Sequence, residues 1–228
     1  MTEFEAVFWD VGGVILDLAS VRDSHRRFVG WLVSEYDLGA SEEEAVDTWR
    51  SVVGQHFRER DGTEFRSAQD GYHKAVAAIV GEPVERAAWQ PAMRSQIDAV
   101  VRQNPGARET VSSVAEAGHH QGVVSDADHE ELLWLLSHLG VRDHVDAVTT
   151  SESVGRTKPD PAMFETAMER SGVAPERTLM VGDRYGHDME GAARHGIRTA
   201  AYGADDGPAV DYRLDDLRDV LEILGIES

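Results

Sequence analysis

From residue 107 to the C-terminus the chain switches repeatedly between two hydrophobic rhythms, and this alternation constrains its fold more than any other feature. ARETVSSVAEAG, HEELLWLLSHLG, PAMFETAMERSG, MEGAARHG and LDDLRDVLEILG carry helical spacing. Between them lie short apolar runs: GVVS ending at Ser125, residues 147–150, residues 178–182, and IRTAAYG. Strands that alternate with helices build a parallel sheet covered on both faces. A further apolar run, Glu3 to Trp9, opens the chain and reads as the first strand. From Leu18 to Gln103 the pattern is helical throughout, with Ser41 and Glu44 spaced as a capping box. The expectation is an α/β core of residues 1–17 plus 104–228, interrupted after its first strand by a helical insert of residues 18–103.

The 228 residues are 41% hydrophobic, enough for a core of this size, and no run approaches an uninterrupted membrane span. The opening MTEFEAV is acidic and lacks the pattern of a secretory leader, so a cytoplasmic location is expected. With no cysteine, thiolate catalysis and cysteine-based metal sites are excluded. The net charge of −20 repels nucleic acid and anionic membrane, so neither is an expected partner. Lys74 and Lys158 are the only lysines among 22 basic residues. Abundant carboxylates with almost no lysine point to a salt-rich (halophile) cytoplasm, where ions screen self-repulsion.

In an open parallel sheet, chemistry is expected just beyond the C-terminal ends of the strands. The first strand ends at Asp10, followed by Gly12 and Gly13. The second ends at Ser125, followed by Asp126. After the third comes Lys158, just before a proline-led helix, and after the fourth come Asp183 and Asp188 in GDRYGHD. This set suits phosphoryl transfer. A carboxylate can be the nucleophile. A hydroxyl and an ammonium can hold phosphate oxygens, and paired carboxylates can hold Mg²⁺, which prefers hard oxygen ligands.

With FWDVGGV, VVSDA, KPDPAMF and GDRYGHDMEGA in this order, the chain resembles the haloacid dehalogenase-like superfamily, specifically its phosphatases with a helical cap after the first strand. The resemblance spans essentially the whole chain. It implies a Rossmann-like three-layer core, a closing cap, and phosphomonoester hydrolysis of a small soluble metabolite. By that resemblance Asp10 attacks phosphorus, and Ser125, Asp126 and Lys158 bind the phosphoryl group. Asp10, the Gly12 carbonyl, Asp183 and Asp188 are the implied Mg²⁺ ligands.

One position departs from the family's common first motif, which carries a second aspartate two residues after the nucleophile as the proton carrier. Here that residue is Gly12. Positioned acid–base catalysis is typically worth about 10²–10⁴-fold. Three resolutions stay open: another group substitutes, the substrate has a good leaving group, or the reaction is a different one. Asp17, His187 and a metal-ordered water are the candidate substitutes. The competing readings are a 2-haloacid dehalogenase, a phosphomutase, and a degenerate member that binds a phosphorylated ligand or a protein. Lys74 raises a further option, a Schiff base with a carbonyl substrate. Substrate identity and oligomeric state leave no decodable mark on the sequence.

Overall fold

The computed structural model describes residues 4–227, so Glu3 of the expected first strand lies outside the described residues. The chain divides into two compact units, Met1–Asp17 with Gln103–Ser228, and Leu18–Arg102. Gln103 joins the first unit through an isolated antiparallel bridge to Leu16.

In chain order, β1 (Ala6–Trp9) is followed by α1 (Leu18–Glu35), α2 (Glu42–Arg58), α3 (Ala68–Val80) and α4 (Arg86–Val100), which form the helical unit. The sheet unit then continues through α5 (Ala107–Glu116), β2 (His120–Ser125), α6 (His129–His138), β3 (Ala147–Thr150), α7 (Ser151–Val154) and α8 (Pro161–Ser171). It closes with β4 (Thr178–Gly182), α9 (Glu190–Ala193), β5 (Arg198–Tyr202), β6 (Tyr212–Leu214) and α10 (Asp219–Leu224). The six strands are all parallel, in the order β3-β2-β1-β4-β5-β6. The chain therefore runs to one side of β1 and then crosses to the other, and the topological switch lies between β1 and β4.

β1 is buried on both faces, which is why its sequence is a continuous apolar run rather than an alternating one. Ala6 and Phe8 pack with Met163 and Phe164 of α8 and Ala192 of α9. Trp9 points the opposite way and donates its indole N–H to Gln121 Oε1 at 2.9 Å. Gln121 in turn donates to the carbonyls of Val111 and His144, so this buried polar pair is fully satisfied.

In the helical unit, Phe28, Leu32, Trp49, Val76 and Trp89 form the core, and Trp49 stacks on Tyr72 with ring centres 5.1 Å apart. The Ser41–Glu44 capping box forms and starts α2. Lys74 is exposed on α3, and its ammonium donates to Nδ1 of buried His56, 3.1 Å away, joining α2 to α3. Arg22, His25, Arg26, Trp49 and Arg50 line a cleft of about 520 Å³ between α1 and α2. Among the described residues no helix is long and apolar enough to cross a membrane.

Candidate active site

The strand register brings the chemistry-bearing residues to one sheet edge. Trp9 pairs with Val123 on one side and Val181 on the other, so the residues just past all three strands emerge together. The Asp10 amide still donates to the Val181 carbonyl at 2.9 Å, which fixes the backbone of Asp10 as part of the ladder. Beyond it the chain turns tightly. Gly13 N donates to Leu16 O and Leu16 N to Val11 O, while Asn104 holds the Gly13 and Val14 carbonyls with its side-chain amide, 2.8 Å from each. Asn104, which no motif in the sequence singled out, thus ties down the loop after β1.

At this edge one oxygen from each of Asp10, Asp183 and Asp188 lies within 4.8 Å of the others. At an effective dielectric of about 20, each such pair of charges repels by about 3.5 kcal/mol or more. Lys158, 2% exposed, offsets part of this, with its ammonium 3.0 Å from Asp10 Oδ1 and 2.6 Å from Asp188 Oδ1. Burial pushes the Asp10 carboxyl up to about 7, against the pull of Lys158 and with added repulsion from Asp188 and Asp183. Burial and Asp188 likewise raise Asp183. Burial alone would lower the Lys158 ammonium, but Asp10, Asp188 and Asp126 outweigh it and hold the lysine charged.

Each side chain is set by its neighbours. Asp10 Oδ1 accepts from the Val11 amide at 2.8 Å and from Lys158, which leaves Oδ2 as the oxygen without a hydrogen-bond partner among the described residues. Asp188 is fully buried; its Oδ2 accepts from the Arg184 amide at 2.9 Å, and its own amide donates to the Arg184 carbonyl. That reciprocal pair opens the turn of residues 185–189, which the Glu190 amide makes π-type by donating to the Tyr185 carbonyl. Gly182 is required beneath it, because a Cβ there would fall 2.3 Å from the Asp188 Cβ. Ser125 is buried at the end of β2, and its hydroxyl has no hydrogen-bond partner among the described residues.

The Asp126 carboxylate is held by two neighbours. Its Oδ1 accepts the Lys158 amide at 2.8 Å, and its Oδ2 faces His187 Nδ1 at 3.4 Å. Burial would raise this carboxyl, but the hydrogen bond from His187 and the charge and amide of Lys158 lower it, so it stays anionic. Through its bond to the amide it fixes the backbone of Lys158. His187 Nε2 lies 2.8 Å from an Arg184 guanidinium nitrogen. A guanidinium only donates, so Nε2 accepts and the ring proton sits on Nδ1, facing Asp126. Asp17 is half-buried and stands outside the carboxylate group at the last residue of this segment.

The donor set fits a hard divalent cation. Three carboxylates converge, and Asp183 Oδ1 is buried with no hydrogen-bond partner among the described residues. Clustered carboxylates with an orphaned oxygen are the arrangement that a cation relieves.

The fold and this edge define a class of enzyme. A model of the haloacid dehalogenase-like hydrolase family matches residues 4–196, and the chain belongs to that family. It is therefore a hydrolase. Among curated proteins, it is 26% identical over 195 residues to a glyceraldehyde 3-phosphate phosphatase of Methanothermobacter thermautotrophicus, covering 85% of this chain and 83% of the relative. It is 31% identical over 138 residues to the pyrophosphatase PpaX of Halalkalibacterium halodurans, covering 58% and 64%. Among solved structures, a HAD phosphatase from Thermococcus onnurineus superposes with a TM-score of 0.74 at 23% identity, covering 98% of this chain and 99% of that one. The L-2-haloacid dehalogenase of Xanthobacter autotrophicus shares the fold, with a TM-score of 0.69 at 19% identity over 99% and 100%.

Proposed function

We propose that the chain is a Mg²⁺-dependent phosphomonoesterase of a salt-rich cytoplasm, acting on a small phosphorylated metabolite through an aspartyl-phosphate on Asp10. Asp10 Oδ2 attacks phosphorus, the P–O bond to the leaving group breaks, and the leaving group departs with the electron pair. Water then attacks the acyl phosphate at phosphorus, freeing the Asp10 carboxylate and inorganic phosphate. Lys158 stays charged throughout and, with the Ser125 hydroxyl, holds the transferred oxygens. Asp126 keeps the lysine in place through its backbone amide. Asp10, Asp183 and Asp188 would hold Mg²⁺, with the Gly12 carbonyl as a further oxygen. The ion supplies positive charge against the phosphoryl oxygens.

The observation that carries this reading is Asp183, a third carboxylate with an unpartnered buried oxygen beside Asp10 and Asp188. Carbon–halogen hydrolysis through an aspartyl ester needs no metal; it would call on one such carboxylate as a base for water, not on a cluster of three. The two curated relatives are named for small phosphorylated compounds, which agrees with the same reading. Lys74, bound to His56 on the helical unit, is left with a packing role.

The test is phosphate release from p-nitrophenyl phosphate in high KCl, with and without Mg²⁺, for the parent and Asp10→Asn. Release that requires the metal and disappears in the variant supports the proposal. Metal-independent halide release from 2-chloropropionate, with no phosphate release, would replace it by the dehalogenase reading.

A further inference from the structure

We infer that the helical unit carries a binding site of its own: the cleft between α1 and α2 takes a small organic anion, a carboxylate or phosphate group on a short apolar body. The site lies wholly within that unit and does not depend on the chemistry assigned to the sheet unit.

One spacing builds the cleft from both helices. On α1, Arg22, His25, Arg26 and Val29 stand at i, i+3, i+4 and i+7. On α2, Val46, Trp49, Arg50 and Val53 stand at the same intervals. Each set is a single helix face. Both faces carry a ring at the second position, an arginine at the third and a valine at the fourth. The two rings meet with centres 5.4 Å apart, and Tyr72 of α3 backs both, 5.2 Å from His25 and 5.1 Å from Trp49. The hollow between the faces is about 520 Å³. Small-molecule sites run from about 300 to 1,000 Å³.

The charges at the cleft are arranged for an anion. The chain has 42 acidic residues against 22 basic ones, yet three arginines and a single carboxylate line this hollow. That carboxylate, Asp23, is bonded to Arg27, which is not among the lining residues. Arg26 is paired with Glu42 at 3.1 Å. Arg50 has only Asp47, 3.8 Å away, with the two side chains 68% and 73% exposed. Such a pair contributes almost nothing. Arg22 has no ion-pair or hydrogen-bond partner among the described residues. One uncommitted guanidinium therefore comes from each helix, and its planar fork matches a carboxylate or a phosphate. His25 adds a polar group without charge. Burial lowers its pKa to about 4, and its ring nitrogens have no hydrogen-bond partner among the described residues. Cations at the rim and rings and valines beneath them select a ligand that is charged at one end and apolar at the other.

The experiment titrates the full chain with 8-anilinonaphthalene-1-sulfonate, an aromatic anion whose fluorescence rises on leaving water. Butanoate, hexanoate and hexyl phosphate then displace it. The buffer is free of Mg²⁺ and holds the lowest KCl at which the parent still melts cooperatively. One saturable dye site per chain is expected. Hexanoate should displace the dye about 15-fold better than butanoate, from about fourfold per buried CH₂. Comparison of hexanoate with hexyl phosphate tells which oxyanion the site prefers, and displacement by neither overturns the inference. Arg22→Glu and Arg50→Glu should each weaken binding by about tenfold or more. Arg27→Glu makes the same charge change on α1 outside the cleft and should weaken it by less than about threefold. Should the reversals fail to fold, Arg22→Gln and Arg50→Gln carry the same test with a loss of at least about threefold. No saturable site in the folded parent, parent-like binding in the Arg22 and Arg50 variants, an equal loss in Arg27→Glu, or butanoate equal to hexanoate would overturn the inference.

Discussion

The sharpest physical test of the carboxylate arrangement is a single methyl group at Gly13. Its φ is +83°, a left-handed conformation that costs an L-residue roughly 1–2 kcal/mol. The space is equally restrictive: a Cβ there would sit 2.0 Å from Asp183 Oδ2 and 2.5 Å from its Cγ, where ordinary contact begins at 3.4 Å. Gly13→Ala must therefore drive the Asp183 carboxylate away by more than an ångström. Mg²⁺ takes its oxygens at about 2.0–2.1 Å in near-ideal octahedral geometry and tolerates no such displacement. Gly118→Ala separates the two effects. Gly118 has φ +81° and nothing within 4 Å of its would-be Cβ, so it carries the same backbone cost without touching the site.

Both variants should lose about 1–2 kcal/mol of stability, a fall in Tm of roughly 2–8 °C for a chain of this length. Only Gly13→Ala should lose metal affinity, by about 10–100-fold if judged by the cost of disturbing a ligand's support. At a Mg²⁺ concentration 100 times the parent Kd, the metal should stabilise the parent by about 2.7 kcal/mol and Gly13→Ala by only about 0.4–1.4 kcal/mol. Thermal melts with and without Mg²⁺, together with turnover of p-nitrophenyl phosphate, read both quantities. Parent-like Mg²⁺ stabilisation in Gly13→Ala, or an equal loss of it in Gly118→Ala, would refute the reasoning.

Three further outcomes follow from the same geometry. Lys158→Met strips the cation from a buried carboxylate cluster and should cost about 3–5 kcal/mol by urea titration, with turnover down at least about 10²-fold; a loss under tenfold would show that the lysine does not stabilise the transferred group. In the helical unit, burial lowers His25 to about 4, so between pH 6.5 and 4 the unfolded chain binds the extra proton and stability falls as pH falls. Replacement by phenylalanine should remove about 3 kcal/mol of that pH dependence, and an unchanged profile in His25→Phe would contradict it. Finally, raising KCl from about 0.1 M to about 1 M shortens the screening length from about 10 Å to about 3 Å, so a chain of net charge −20 should gain Tm, and a flat or falling melt would refute the salt-rich reading.

The parts of the fold legible in the sequence were those buried on both sides. β1, β3 and β4 are short apolar runs with no competing period, and residues 147–150 and 178–182 are strands with the bounds their sequence suggests. β6 went unread because Tyr212–Leu214 is only three residues long, lies at the sheet edge, and is half-exposed among charged neighbours. The helix read in MEGAARHG begins later, since the Glu190 amide reaches back five residues to the Tyr185 carbonyl and widens the preceding turn. The helix read in LDDLRDVLEILG is shorter, because the Asp219 carboxylate accepts the amides of Asp215 and Asp216 and holds those residues in a turn. At the site, residue types and their order were legible. The engagement of Asp126 with the Lys158 amide, the grip of Asn104 on the Gly13 loop and the press of Gly13 against Asp183 were not. Each joins residues 32 to 170 positions apart, and no local pattern records such a contact.

Topology explains why the charges can be held together at all. β1 is central, so Asp10 has a strand end on each side: Ser125 and Asp126 arrive from β2, Gly182 and Asp183 from β4. All the side chains delivered directly by those two neighbours are hydroxyl or carboxylate, and none is a cation. The compensating charge has to come from a connection, and Lys158 lies between α7 and the proline-led start of α8. A loop residue needs its backbone fixed before its side chain can be aimed, and the Asp126 carboxylate does this from the neighbouring strand. The second aspartate after β4 completes the arrangement, because Asp188 holds Lys158 from below while its other oxygen shapes its own turn. Gly13 belongs to the same logic: a side chain there would close the gap that Asp183 occupies, so the loop after Asp10 is thin where the third carboxylate must stand.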